Sequence, residues 1–342
     1  MIQRFLKQLK IVFRKVFPRR RLTIVLAYTT DVHGALQAYD YVLDRPTSWG
    51  LTRVATRVSQ LRRRYDHVLL LDNGDIIQGS PLTYYYNFVR KRGGHPVARA
   101  MNALRYEVSC VGNHDIEQGP SVYQRLRRQL AFPWLSANAM TRRKKSFFQP
   151  YTIREVEGIR IAILGLTTPA IPLWLNPELY PGIHWQEMKQ AASGWLRFLK
   201  ENKQADVVVG LFHAGVHPSA GKPGWPPEIP EENPCLQIAQ ELPDFDVILA
   251  GHEHRVYNSQ LSRNPAERAL KPAVLMAGSH ARHLGVVYLT FQRVEGKWHL
   301  REKKARIESM RGIPEEPGLK KLLEPYHHQV LRYVNSKIGQ AQ

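Results

Sequence analysis

Asp31, His33, Asp75, Asn113, His213, His252 and His254 fall in five short segments: Asp31-Val32-His33-Gly34, Gly74-Asp75, Gly112-Asn113-His114-Asp115, Phe212-His213-Ala214-Gly215 and Gly251-His252-Glu253-His254. Carboxylate oxygen, amide oxygen and neutral imidazole are the donors that hard or borderline divalent cations take. Together the segments supply enough of them for two adjacent cations. Such a pair is the usual machinery for attacking a phosphate ester with water. A lone D-x-H or G-H-x-H arises by chance in many chains. The ordered set of five, each following an apolar run, does not.

Asp31 and His33 stand two apart, so at the end of an extended strand they point the same way. His252 and His254 repeat that spacing and can serve two metals separately. Asp75 has two oxygens with which to bridge, and Asn113 offers an amide oxygen where a second full charge is not needed. The expected assignment is Asp31, His33, Asp75 and His254 on one metal, and Asp75, Asn113, His213 and His252 on the other. With mixed N and O donors and no thiolate, Mn, Zn, Fe, Co and Ni all fit. Gly34, Gly74, Gly112, Gly215 and Gly251 lie beside these donors, where the backbone must turn sharply or approach a phosphate closely.

The elements that must position these side chains alternate strand and helix. Apolar runs at Leu22 to Tyr28, Val68 to Leu71, Val207 to Phe212 and Val247 to Ala250 read as buried strands, and Glu107 to Val111 reads as a further strand. Helical patterns occupy 51–61, 96–104, 123–130 and 186–200, and Trp134 to Ala137 is extended. Tyr151 to Val156 and Ile159 to Leu166 flank a Glu157-Gly158 turn and read as a hairpin. Strands at 274–277, 286–291 and near Trp298 close the series. This pattern predicts an α/β sheet with helices on both faces and a second sheet packed on it, a layered sandwich. Ligands on such sheets gather beyond the carboxyl ends of the strands, where every metal-type segment falls. The Pro- and Gly-rich stretch 215–234 reads as one long surface loop after His213, and a helix is expected around 319–338.

The hydrophobic fraction is 43%, that of an ordinary globular protein rather than a disordered one. No apolar stretch reaches the roughly 18 residues of a membrane-spanning helix. The 49 Lys and Arg exceed the 29 Asp and Glu to give +20, which favours anionic partners: nucleotides, an acidic membrane surface, or less strongly nucleic acid. Cys110 and Cys235 sit in no C-x-x-C, so a reducing compartment fits. Residues 1–20 carry Arg4, Lys7, Lys10, Arg14, Lys15, Arg19 and Arg20, no acid, and apolar residues at helical spacing. They read as a basic amphipathic helix on an anionic lipid surface or on the domain's own flank. The expected organisation is that helix, a catalytic domain over 21–312 and a helical tail over 313–342, in a protein of the cytoplasm that binds peripherally to the inner face of the membrane.

These segments resemble the calcineurin-like metallophosphoesterases. More narrowly, Asn73-Gly74-Asp75-Ile76-Ile77-Gln78-Gly79-Ser80-Pro81-Leu82, His95-Pro96-Val97 and His283-Leu284-Gly285 resemble the 5′-nucleotidase and 2′,3′-cyclic-nucleotide 2′-phosphodiesterase/3′-nucleotidase group, over about Leu22 to Ile338. The resemblance implies a four-layer α/β/β/α sandwich, a dimetal centre and hydrolysis of nucleotide phosphate esters by a hydroxide held between the metals. It implies that His114 contacts the phosphate and protonates or stabilises the leaving alkoxide. In many relatives a carboxylate three residues after that His orients it. Here the sequence reads Asp115-Ile116-Glu117, and both carboxylates remain candidates. Gln78, Ser80 and His283 are the expected substrate contacts, and Tyr84, Tyr85 and Tyr86 read as pocket wall or core. Relatives commonly carry a second domain that stacks the nucleobase between aromatics. The sequence stops at the helix expected to lead into it, leaving base recognition to be supplied by another chain or not at all. The alternatives are another dimetal phosphoesterase (a nuclease, a sugar-nucleotide hydrolase or a lipid-linked diphosphate hydrolase) and a non-catalytic membrane- or nucleic-acid-binding relative.

Overall fold

The computed structural model describes residues 21–219, 225–226 and 228–336. The basic segment 1–20, with its expected helix, lies outside the described residues.

Twelve strands form two six-stranded sheets. They are β1 (Arg21–Thr29), β2 (His67–Asp72), β3 (Val108–Cys110), β4 (Trp134–Leu135), β5 (Tyr151–Val156), β6 (Ile159–Thr167), β7 (Val207–His213), β8 (Val247–Ala250), β9 (Val256–Asn258), β10 (Ala273–Ala277), β11 (His283–Val294) and β12 (Lys297–Ser309). The first sheet runs β12-β11-β1-β2-β3-β4 and the second β9-β10-β8-β7-β6-β5. The central strands are parallel and the flanking ones, β11, β12, β5 and β9, pair antiparallel.

Strand alternation divides the apolar residues among three cores. Ile24, Leu26 and Tyr28 of β1 meet Val207, Val209 and Leu211 of β7 and Val247 and Leu249 of β8 between the sheets. Val25 and Ala27 turn outward instead, against Leu51, Val54, Val58 and Leu61 of the helix Leu51–Arg64. Val208, Phe212 and Ile248 turn outward from the second sheet against the helix Met188–Glu201, which buries Met188, Ala191, Ala192, Leu196 and Leu199. Strands buried on both faces must read as unbroken apolar runs, which is why β1, β7 and β8 do. Each large aliphatic side chain so buried contributes about 1.5–3 kcal/mol relative to exposure. The order is helix, sheet, sheet, helix: the four-layer α/β/β/α sandwich.

The largest departure from the sequence reading is the hairpin β11–β12. Its strands are longer than expected, and β12 is an edge strand with most of its side chains in contact with solvent. Charged edges suppress strand aggregation but also dilute the apolar alternation that announces a strand. The strand β9 and the helices Asn113–Glu117 and Cys235–Glu241 also lie outside the expected elements. Among the described residues no helix is long and apolar enough to cross a membrane.

Candidate metal centre

The parallel strands β1, β2, β3, β7 and β8 all end at one edge of the sandwich, and the five donor segments begin there. Asp31, His33 and His254 bring one ligand atom each within 4.8 Å of one another, and so do Asp31, Asp75 and His213. Asn113 Oδ1 lies 3.1 Å from His213 Nε2 and 2.9 Å from His252 Nδ1. All seven expected donors therefore meet in one cluster. Asp31 belongs to both compact groups, although the spacing suggested Asp75 as the shared ligand.

Hydrogen bonds set which imidazole nitrogen faces inward. His33 Nδ1–H donates to the Gln78 carbonyl at 3.1 Å, and His213 Nδ1–H donates to the Asn73 carbonyl at 2.6 Å. Both rings thus turn Nε2 toward the carboxylates. His252 is reversed: Nε2–H donates to Glu232 Oε1 at 2.7 Å and Nδ1 faces Asn113. Such outer hydrogen bonds fix tautomer and ring orientation in metal sites. His33 Nε2 and His254 Nε2 stand 2.9 Å apart, two ring nitrogens converging on one point.

The backbone is held in an unusual conformation at these residues. Asp31, His33, Asp75, His252 and His254 all have positive φ, between 50° and 73°. Left-handed backbone is uncommon for residues other than glycine, and such strain collects at functional sites. Gly112 is needed for a different reason, since a Cβ there would stand 2.0 Å from Asp75 Oδ1.

Electrostatics follow from burying acids among imidazoles. Burial pushes the Asp75 carboxyl up, but His213, His33 and His114 pull it further down, so its pKa lies below the ordinary value. Burial alone would lower His213, but Asp75 and Asp31 drive it up to about 10. The two carboxylates thus demand positive charge between the sheets. A divalent cation meets the same demand, provided the imidazoles give up their protons to ligate it. Asp75 also carries a vacant acceptor. Its Oδ1 takes the His114 amide at 2.9 Å, while its buried Oδ2 has no hydrogen-bond donor among the described residues. His213 Nε2 lies 3.2 Å from that oxygen, but not in hydrogen-bonding geometry. An orphaned buried carboxylate oxygen facing imidazole and amide donors fits a metal ligand.

His114 stands at the rim, its ring edge-on to His33 with centroids 5.6 Å apart. Its Nδ1 meets Glu117 Oε2 at 2.5 Å. Burial lowers the His114 pKa, but Glu117 and Asp75 outweigh it and the net shift is upward. Of the two carboxylates left open by the sequence, Glu117 is the one on His114. Asp115 is fully buried and spends both oxygens on backbone: Oδ2 accepts from Asp75 and Gly112, Oδ1 from Ile76 and Ile77. Burial, then Asp75, push its pKa up to about 7, and the Gly112 and Ile76 amides pull it back. Asp115 ties the β2 and β3 loops together and does not orient His114.

Gln78 and Ser80 line a cavity that also includes Glu117. His283 does not join them. It opens β11 opposite Ser309, packs near Gly278, and lines neither cavity adjoining the cluster. Its neighbours His280 and Arg282 do line one of them, beside His33. Sequence reasoning missed Glu232 and the indole of Trp174, whose ring lies 5.4 Å from that of His252. It also missed Asn73, whose Nδ2 donates to the carbonyls of Phe212 at 2.8 Å and Leu249 at 3.2 Å. The Asn73-Gly74-Asp75 motif contained that residue, but nothing in its spacing shows that it bridges two sheets.

The family model for calcineurin-like phosphoesterases matches residues 24–256. The chain belongs to the calcineurin-like phosphoesterase family. Several curated proteins resemble this chain. It is 30% identical to the 2′,3′-cyclic-nucleotide 2′-phosphodiesterase/3′-nucleotidase of Haemophilus influenzae, over 92% of this chain and 50% of that protein. It is 27% identical to the trifunctional nucleotide phosphoesterase protein YfkN of Bacillus subtilis, over 95% of this chain and 23% of that protein. The crystal structure of the calcineurin-like phosphoesterase YfkN superposes with a TM-score of 0.80 at 25% identity, covering 92% of this chain and 100% of that one. The chain thus spans about half, or less, of the length of these curated relatives.

Proposed function

We propose that this chain hydrolyses nucleotide phosphate esters at a centre of two divalent cations. The observation that carries the reading is Asp75, whose orphaned Oδ2 sits among His213, Asn113 and Asp31. Asp31, His33, Asp75 and His254 would hold one cation, and Asp75, Asn113, His213 and His252 would hold the other. Asp75 suits the bridge better than Asp31, because both Asp31 oxygens already accept the His252 amide at 3.1 Å and Oδ2 also accepts from Thr30. Mn, Zn, Fe, Co and Ni suit the donor set equally.

Bound there, divalent cations acidify water and screen the phosphoryl oxygens. The chain supplies the rest. His114, protonated through Glu117, gives its proton to the departing sugar oxygen, a role that contributes roughly 10²–10⁴-fold. Asp115 holds the Asp75 and Gly112 loops in register. The relatives' activities on nucleotides support this substrate class, as does the +20 charge. Residues 1–20, outside the described part, extend the reading to an anionic membrane surface. Fractionation with and without them tests that, and equal solubility of both forms rejects it.

The deciding experiment supplies stripped protein with Mn, Co, Ni or Zn. Hydrolysis is followed on bis-p-nitrophenyl phosphate, 2′,3′-cyclic nucleotides, 3′- and 5′-monophosphates, sugar nucleotides and single-stranded DNA. Nucleotide turnover that depends on metal is expected. Turnover of sugar nucleotides or DNA alone moves the substrate elsewhere, and no turnover with any metal marks a binding protein.

A further inference from the structure

A cavity of about 530 Å³ opens beside the His114–Glu117 pair. Glu117 and Gln118 form one side, Gln78 and Ser80 another, and Tyr84 and Tyr333 the aromatic walls. Small-ligand pockets measure roughly 300–1,000 Å³. Tyr84 is 53% exposed and Tyr333 36%, large values for rings of this size. Each is propped from behind, Tyr84 by Phe88 with centroids 5.5 Å apart and Tyr333 by Tyr85 at 4.9 Å. The Tyr85–Val89 segment is a π-helical turn, an irregularity frequent at functional sites. Gln118 is fixed by two bonds, donating to the His114 carbonyl at 3.2 Å and accepting from Asn87 at 3.1 Å.

The geometry points to this cavity as the seat of the nucleobase, with Tyr84 and Tyr333 offering stacking faces and Gln78 and Gln118 reading its edge. This rests on the proposed hydrolysis, in which His114 faces the leaving group. Whatever departs toward His114 passes the Glu117 wall, so the leaving nucleoside is the group this cavity meets. Stacking surfaces with amide donors and acceptors suit a flat, uncharged heteroaromatic ring. They suit a phosphate poorly, and among the described residues no Lys or Arg lines this cavity. The last helix, Pro317–Val334, thus contributes a recognition residue to the catalytic domain itself. Of the tyrosine run only Tyr84 serves, because Tyr86 is 3% exposed and belongs to the core.

The test compares 3′- and 5′-adenosine monophosphate with glycerol 2-phosphate, which has no base, in wild type and in Tyr84→Ala, Tyr333→Ala and the matching Phe variants. The ratio of kcat/KM for the nucleotide to that for glycerol 2-phosphate falls about 5- to 100-fold in each Ala variant, the range expected for one lost stacking partner. The Phe variants keep the ring and hold the wild-type ratio. A ratio unchanged in the Ala variants overturns the assignment, and so does an equal fall in the Phe variants. Adenosine binding to the metal-loaded protein, followed by calorimetry, separates this inference from the reading it rests on. Hydrolysis of glycerol 2-phosphate without adenosine binding sinks the base site alone. Adenosine binding that is lost in Tyr84→Ala supports the base site even if no ester is cleaved.

Discussion

Replacing Asp115 by asparagine exchanges one buried carboxylate oxygen for an amide NH2 and leaves the shape of the side chain intact. In the protein four backbone amides donate to that carboxylate: Asp75 and Gly112 at 2.9 Å, Ile76 at 2.9 Å and Ile77 at 3.2 Å. Asparagine has one acceptor oxygen and can keep only one of the two pairs. Its NH2 must face the other pair, donor against donor. A buried N–H left without an acceptor costs about 1–3 kcal/mol, so two cost about 2–6 kcal/mol. That is a large share of the 5–15 kcal/mol typical of a whole domain. Losing the Oδ2 pair releases the Asp75 and Gly112 amides, and losing the Oδ1 pair releases those of Ile76 and Ile77; either loosens the tie between the β2 and β3 loops that sets Asp75 against Asn113. Urea denaturation of the metal-loaded protein is expected to show the destabilisation, and competition with a metal-binding dye a weakened affinity. Glu117→Gln serves as the control, since it touches His114 on the surface and changes stability by no more than about 0.5 kcal/mol. An Asp115→Asn protein within about 1 kcal/mol of wild type, with unaltered metal affinity, would refute the reasoning.

Gly112→Ala places a methyl 2.0 Å from Asp75 Oδ1. It is expected to lose bound metal, read by elemental analysis, and with it nearly all turnover; full metal content in an active variant contradicts the close approach. His114→Ala should lower turnover roughly 10²–10⁴-fold while metal content holds, and equal loss of both would make the residue structural. His95 is 3% exposed, its Nδ1 accepts from Val97 at 3.3 Å and its Nε2–H donates to Asn87 at 3.1 Å. Burial, then Arg125, lower its pKa from 6.5 to about 3. The unfolded chain takes up a proton near pH 6.5 that the folded protein refuses. This group therefore removes up to about 1.4 kcal/mol of stability per pH unit as pH falls from 6.5 toward 3. Urea midpoints against pH should show a shallower acid limb in His95→Gln, and an unchanged limb contradicts it.

The donors and the strands leading to them were legible because the same physics writes both. A strand buried on two faces must be apolar throughout, so Val207 to Phe212 and Val247 to Ala250 stand out, and the first polar residue beyond each lies at the sheet edge. The meeting of His252 with Asn113 was implied only by the ordered set, since 139 residues separate them. What stayed hidden is long-range and local at once. Asp115 and Glu117 are both acids one turn from Asn113, and only the short helix Asn113–Glu117 decides which faces His114. In that helix Glu117 lies three residues on from His114, on the same face, while Asp115 is turned inward to the amides. A strand near Trp298 was legible, but the full length of β12 was hidden because an exposed edge does not require the apolar alternation by which a strand is read.

The donors divide between the sheets, and the division follows from spacing. Asp31 and His33 follow β1, Asp75 follows β2, and Asn113 follows β3, three neighbours in one sheet. His213 ends β7, and His252 and His254 follow β8, neighbours in the other. Stacked sheets lie about 10 Å apart and adjacent strands about 4.8 Å apart. Side chains leaning in from both edges therefore meet midway, as His254 with Asp31 at 3.4 Å, His213 with Asp75 at 3.2 Å and His252 with Asn113 at 2.9 Å. No single sheet could close such a cluster, because its neighbouring loops project side by side. Contacts of β8 with β1 and β3, and of β7 with β2 and β3, draw the donors of both sheets into one cluster at the edge. The bonds from Asn73 to Phe212 and Leu249 hold the two edges in that register. The inter-sheet core is thus what fixes the spacing of the site, and the strained backbone at Asp31, His33, Asp75, His252 and His254 is the local cost of reaching across it.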